Sequence, residues 1–207
     1  MTPKQKVYLV DDEPALLRAL SRLLRAEGFE VTPFGSAADF LTAYEPNTPA
    51  CIVLDVSMPM MTGIELQQHL LDATSNLSII FLTANGDIPM SVRAIKAGAV
   101  DFLTKPVKDS ELIGAIKLGI KRTNEKQSTQ NEITSLKNRL RLLTLREQEV
   151  FLHVASGEPN KQIASALGIT EQTVKVHRGR VMHKMEVESL AQLVLIAERL
   201  GLLVKNN

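Results

Sequence analysis

The sequence holds one cysteine, Cys51, inside the apolar stretch Cys51-Ile52-Val53-Leu54. No intramolecular disulfide can form, and a buried structural thiol is the expected state. Long hydrophobic runs are missing too. Met1 to Lys6 lead straight into Val7–Val10, which is too short for a signal peptide or a membrane span. No later run approaches the roughly 20 residues a spanning helix needs. These absences fit a cytoplasmic protein that does not touch a membrane. Aromatic residues are scarce at 4% while apolar content is an ordinary 44%, which excludes a fibre and a disordered chain and leaves a soluble globular protein. Neither sign of charge dominates, and a formal net charge of +1 names no partner. What remains is a chain of 207 residues, long enough for one large domain or two small ones with cores of their own.

The first half alternates short apolar runs with amphipathic stretches. Strands are predicted at Val7–Val10, Glu30–Phe34, Cys51–Leu54, Ser78–Leu82 and Val100–Leu103. Helices are predicted at about Ala15–Glu27, Ala37–Tyr44, Gly63–Leu71, Pro89–Ala97 and Ser110–Lys121. Apolar strands separated by short helices imply an α/β fold, a doubly wound parallel five-stranded sheet covered on both faces. Thr123 to Glu132 contains no apolar residue, but also no Pro or Gly, so it can continue the preceding helix. Ile133, Leu136, Leu140 and Leu143 then recur at spacings of three and four. That pattern fits either a short coiled-coil seam or a helix docked on the C-terminal domain. From Thr144 onward the pattern is all-α, four short helices at Leu145–Ser156, Lys161–Leu167, Glu171–Met185 and Leu190–Leu200. Thr144 with Glu147 reads as a capping box, and Asn160, Thr170 and Ser189 as further N-caps. Gly168-Ile169-Thr170 is the tight turn of a helix-turn-helix. The expected domains are therefore 1–121, a helical linker 122–143, and 144–207.

Polar groups of complementary kinds stand at the C-terminal ends of the predicted strands: Asp11 and Asp12, Asp55, Thr83, and Lys105. In an open parallel sheet those ends line the ligand crevice. Three carboxylates brought together repel one another and call for a cation, and hard oxygen donors suit Mg²⁺. A carboxylate nucleophile with a metal, a lysine and a hydroxyl around it can accept a phosphoryl group. Asp12-Glu13-Pro14 also reads as an ordinary helix start, with an N-cap, an acid and a Pro in the first turn.

The segments Val10-Asp11-Asp12-Glu13-Pro14, Leu54-Asp55-Val56-Ser57-Met58-Pro59, Leu82-Thr83-Ala84 and Lys105-Pro106 resemble the receiver domain of two-component response regulators, from residue 6 to about 121. The resemblance implies a flavodoxin-like receiver in which Asp55 is the phospho-acceptor. Asp11, Asp12, Asp55 and the Ser57 backbone carbonyl would hold Mg²⁺. Thr83 and Lys105 would bind the phosphoryl oxygens, and Ala84 would keep their approach open. Phe102 takes the place of the aromatic switch residue beside Thr83, and the Lys105–Pro106 bond is expected to be cis. Met60 departs from the family, which commonly has Gly there. Gly86-Asp87-Ile88-Pro89-Met90 resembles the FixJ subgroup.

Between Thr173 and Met185 stand Lys175, Arg178, Arg180 and Lys184 with no acid among them. On a helix, Val174, Val181 and Met185 share a face that should be buried. Gln172, Lys175, Val176, Gly179 and His183 lie towards another. Buried hydrophobes behind and cations in front suit the DNA major groove. With Leu143-Thr144-Leu145-Arg146-Glu147 and Asn160-Lys161-Gln162-Ile163-Ala164 preceding it, this region resembles the LuxR-type (NarL/FixJ) helix-turn-helix over residues 144 to 200. The resemblance places Lys175 and Val176 at base edges, and Lys161, Thr173, Arg178 and Arg180 near phosphates. Gly179 stands where relatives carry a basic residue. His177 reads as a packing or phosphate-contact histidine, not a metal ligand.

Together these implications describe a phosphorylation-controlled transcription regulator. Its phosphodonor is a sensor histidine kinase, its target is double-stranded promoter DNA, and phosphorylation drives homodimerisation. An aspartyl-phosphate phosphohydrolase would also use Asp55 and Mg²⁺, but such enzymes need an acid where this chain has Ser57. No enzyme activity is expected beyond self-phosphorylation and its reversal. A constitutive DNA binder is a third reading, and the intact acidic pocket argues against it.

Overall fold

A computed structural model describes residues 5–45, 48–72, 76–84 and 87–203. The chain divides into two compact units, Met1–Gln127 and Ser128–Asn207. In the first, strands β1 (Lys6–Val10), β2 (Glu30–Phe34), β3 (Ala50–Leu54), β4 (Leu77–Thr83) and β5 (Asp101–Thr104) form a parallel sheet ordered β2-β1-β3-β4-β5. The helices are α1 (Pro14–Ala26), α2 (Ala37–Ala43), α3 (Gly63–Asp72), α4 (Ile88–Lys96) and α5 (Asp109–Arg141). This is the doubly wound, flavodoxin-like order.

Alternation of side chains along each strand feeds two cores. Val7, Leu9, Val53, Ile80 and Leu82 face Leu17, Leu20 and Leu24 of α1 and Leu112, Ile116 and Ile120 of α5. Tyr8, Val10, Ile52, Leu54 and Phe81 face Phe40, Leu66, Leu70 and Ala94 on the other side. Burial on both faces explains why the central strands read as continuous apolar runs. Cys51 is fully buried among them, and burial raises its thiol pKa far above the usual value.

Two local expectations are corrected, the cap of α1 and the end of α5. Asp12 does not cap α1: Glu13 is the N-cap residue and makes no side-chain cap bond, while Asp11 Oδ1 accepts the Glu13 N–H at 2.9 Å. Pro14 at the first helical position needs no donor partner, so the helix starts without a side-chain cap. Asp87 caps α4 by accepting the Met90 N–H at 2.6 Å, whereas Gly86 of the same motif lies outside the described residues. Helix α5 does not end at Lys121 but runs on to Arg141, since nothing in Thr123–Glu132 breaks it. The sheet grips this helix through a buried polar knot. Ser78 Oγ donates to the Gly119 carbonyl at 2.7 Å and lies 2.7 Å from Thr123 Oγ1, which also donates to Gly119 O at 3.0 Å.

The second unit comprises the last turns of α5 with α6 (Leu145–Ala155), α7 (Asn160–Leu167), α8 (Glu171–Met185) and α9 (Leu190–Arg199). The predicted capping box of Thr144 with Glu147 forms, and the predicted N-cap Ser189 forms a second one with Gln192. Asn160 is not an N-cap. Pro159 holds that place without a side-chain bond, and Asn160 Oδ1 instead accepts from Arg178 at 3.4 Å. Gly168 closes α7 at φ 65°, a left-handed conformation that a Cβ would disfavour, and so makes the tight turn into α8. Leu136 and Leu143 are buried in this unit's core with Val150, Phe151, Val174 and Leu193, and Leu140 packs on it. The docking reading of these leucines therefore holds, and a coiled-coil seam through them does not: a side chain buried at home cannot pair with a partner helix.

Candidate functional site

The C-terminal ends of four adjacent strands converge on one place. Asp11 follows β1, Asp55 follows β3, Thr83 ends β4, and Lys105 follows β5. Backbone bonds extend the ladder past the strand ends, from the Asp55 N–H to Val10 O at 2.9 Å and from the Lys105 N–H to Thr83 O at 2.8 Å. That fixes all four Cα positions. The Lys105–Pro106 bond is cis, as expected.

Lys105 Nζ bridges the two buried carboxylates, 2.6 Å from Asp11 Oδ2 and 3.0 Å from Asp55 Oδ1. Each carboxylate gives its other oxygen to a backbone N–H two residues ahead. Asp11 Oδ1 takes Glu13 N, and Asp55 Oδ2 takes Ser57 N at 2.7 Å. Burial works against the ammonium, but the hydrogen bonds it donates to Asp11 and Asp55 outweigh it and hold the Lys105 pKa above the ordinary lysine value. Thr83 is fully buried and Ala84 beside it is exposed. Phe102 is half-buried, its ring 5.7 Å from that of its cross-strand partner Phe81.

The sequence led to an expectation of three clustered carboxylates, and the structure brings together two. Asp12 is exposed, and among the described residues no group of three or more His, Cys, Asp or Glu side chains gathers as a ready metal centre. The reason is local. Two buried anions already share one cation, so the third acid is not drawn in. The donor set still suits a hard divalent ion, because Asp11 and Asp55 are oxygen donors within reach of a single cation.

One residue beside Asp55, Gly63, was not singled out by the sequence pattern. A Cβ on Gly63 would stand 2.2 Å from the Asp55 carbonyl oxygen, so only glycine lets α3 start this close to the acceptor. A poor helix former at the first position of a helix is the signal that could have pointed to it. Met60 has φ 67° and a fully exposed side chain. Its place is one where glycine would be unstrained, and because the methionine side chain stands wholly in water the departure leaves the pocket intact.

On α8, Val174, Val181 and Met185 are buried, while Gln172, Lys175, Val176, Gly179 and His183 are exposed. Arg180 and, on α7, Lys161 are exposed as well. Thr173 is half-buried, its hydroxyl 2.9 Å from that of Thr170, and half-buried Arg178 reaches Asn160. His177 is half-buried with Nδ1 sealed from solvent, in keeping with a packing role. Lys184 is not part of the outward cationic face. Its Nζ lies 2.6 Å from Glu147 Oε2 and 3.1 Å from Leu142 O. The acid missing from the local run is supplied from 37 residues away. The Lys184 bond, with the Thr144 N–H, holds the Glu147 carboxyl below the usual glutamate range.

The receiver model, described as "Response regulator receiver domain", matches residues 7–117, and the "Bacterial regulatory proteins, luxR family" model matches 141–197. The chain belongs to the response regulators that join a receiver to a LuxR-type DNA-binding domain. Nodulation protein W of Bradyrhizobium diazoefficiens is 43% identical to it over 96% of this chain and 88% of that protein. Among solved structures, the response regulator StyR is 45% identical, with a TM-score of 0.86, covering 95% of this chain and 99% of StyR. Full-length FixJ from B. japonicum is 37% identical, with a TM-score of 0.59, over 98% of this chain and all of FixJ. As a response regulator the chain is a transcriptional regulator of a two-component system, and among the described residues no helix is long and apolar enough to cross a membrane.

Proposed function

We propose that Asp55 accepts a phosphoryl group from a phosphohistidine of a sensor histidine kinase, and that the modified protein dimerises and binds promoter DNA in the bacterial cytoplasm. The observation that carries this reading is the seating of Asp55, buried at a strand end with Oδ2 held by Ser57 N–H and Oδ1 facing the Lys105 ammonium. Asp55 Oδ1 attacks phosphorus, a P–O bond forms, the P–N bond breaks, and the imidazole nitrogen leaves with the bonding pair. Lys105 stands 3.0 Å from the attacking oxygen, where negative charge on the phosphoryl oxygens is to be met. Asp11, Asp12, Asp55 and the Ser57 carbonyl would hold Mg²⁺, which when bound withdraws charge from the phosphoryl group. No separate substrate is turned over; the chain modifies itself, and water later cleaves the acyl phosphate, restoring the Asp55 carboxylate and releasing inorganic phosphate.

The acyl phosphate adds about 1.5 to 2 negative charges. Lys105 then exchanges part of its carboxylate pairing for phosphoryl oxygens, and the Thr83 hydroxyl joins it. Movement of Thr83 and Phe102 alters the surface of α4 and β5, where Ile88, Val92 and Ile95 are exposed apolar residues available to a second copy. Dimerisation requires that the competent state gain more from the phosphoryl group than the resting one. On DNA, Lys175 and Val176 meet base edges while Lys161, Thr173, Arg178 and Arg180 position the phosphates.

Incubation with acetyl phosphate and Mg²⁺, read by intact-protein mass spectrometry, is expected to add one acid-labile phosphoryl group to the wild type. Asp55→Asn should take none and Asp12→Ala almost none. Equal labelling of Asp55→Asn would overturn the assignment.

A further inference from the structure

Gly179 lies at the middle of the exposed face of α8, in line with Lys175 and Val176 before it and His183 after it. Glycine inside a helix is less stable than alanine because it loses more backbone freedom on ordering. Inside this protein nothing explains it. A Cβ built on Gly179 meets no atom within 4 Å, and its φ is not in the left-handed region. The contrast with Gly63 and Gly119, whose Cβ atoms would strike neighbours at 2.2 and 3.1 Å, sets Gly179 apart from the glycines that packing requires. One turn back along the same face, Val176 is 45% exposed, an apolar side chain turned outward on a cationic helix.

We propose that Gly179 is a specificity-determining position for DNA, a notch in α8 that lets a thymine 5-methyl group stand against the helix backbone beside Val176. The inference rests on the DNA-binding reading of α8 and adds to it which base chemistry is read, and where. In the major groove the thymine methyl is the apolar feature that separates T·A from the other pairs. Val176 offers it an apolar wall, and the missing side chain at Gly179 gives it room. Lys175 on the same face supplies a hydrogen-bonding contact to a neighbouring base. Any Cβ at 179 would occupy the volume of the methyl and hold the helix away from the groove floor.

The test uses the full-length chain, treated with acetyl phosphate and Mg²⁺, on duplexes selected from a random pool. Binding is read by fluorescence anisotropy at two salt concentrations. Thymines of the selected site are replaced one at a time by deoxyuridine, which removes only the methyl. The wild type is expected to lose about fourfold in affinity at one thymine per half-site, the worth of one buried methyl. Gly179→Ala should melt at a higher temperature, bind the selected duplex about tenfold or more weakly, and ignore the deoxyuridine change at that position. Three results overturn the proposal: Gly179→Ala binding as well as the wild type, no thymine sensitive to methyl removal, or Gly179→Lys binding more tightly to all duplexes with a steeper salt dependence. If the wild type selects no sequence at all, the DNA-binding reading itself fails, which is a different outcome from these.

Discussion

Met60 keeps a left-handed backbone with its side chain wholly in water, so no contact within the folded chain offsets the strain. Met60→Gly is expected to raise stability by about 1 kcal/mol, checked by urea unfolding, with labelling of Asp55 intact. Gly63 is the opposite case. Gly63→Ala drives a methyl into the Asp55 carbonyl and should lower stability by about 2–3 kcal/mol while slowing phosphorylation from acetyl phosphate. The two substitutions sit on either side of one loop and move stability in opposite directions. At Glu147 the sign follows from its depressed pKa. The stabilisation from its pairing with Lys184 is complete above the ordinary glutamate pKa and is lost as pH falls through the lower folded value. Glu147→Gln should therefore melt lower near neutrality, and its deficit relative to wild type should shrink in acid. A deficit that stayed constant down to acid unfolding would mean the ion pair contributes nothing. None of these three effects is visible in a local window of sequence: a positive φ, a carbonyl eight residues upstream, and an acid from another helix each depend on the folded chain.

Among the elements, the strands and most helices were legible because their signals are local. Buried apolar runs mark β1, β3 and β4, and Thr144, Thr170 and Ser189 mark helix starts by side-chain chemistry that the structure repeats. The pocket was legible for the same reason, since Asp11, Asp55, Thr83 and Lys105 each border a strand. What sequence left open was the destination of the leucines after Glu132, because a spacing of three and four describes a seam without naming what fills it. The structure assigns Leu136 and Leu143 to the second unit's core. Leu136→Ala should therefore destabilise the DNA-binding unit by about 2–4 kcal/mol. On the same grounds a fragment of residues 128–207 is expected to unfold cooperatively, and one of residues 144–207 to melt broadly or not at all. Calorimetry of the two fragments checks this, and equal transitions would show that the leucines only cover the core from outside.

At the scale of the whole molecule, the two cores are served by one helix. The start of α5 carries Leu112, Ile116 and Ile120 into the receiver, and its end carries Leu136 into the DNA-binding unit. Between Thr123 and Ile133 it has no apolar side chain to contribute to either. That middle stretch is held mainly by its own backbone bonds and by polar side-chain pairs such as Lys121 with Glu125 at 3.9 Å and Asn76 with Gln127. A helical segment of that length is marginal in water without packing. Amide hydrogen exchange should consequently read α5 as slow, fast, slow. Amides near Ile116 and Ile120 should open only with the receiver and those near Leu140 only with the DNA-binding unit, while the amides from Asn124 to Asn131 exchange orders of magnitude sooner by local fraying from within. One continuous helix would then report three separate opening free energies along its length.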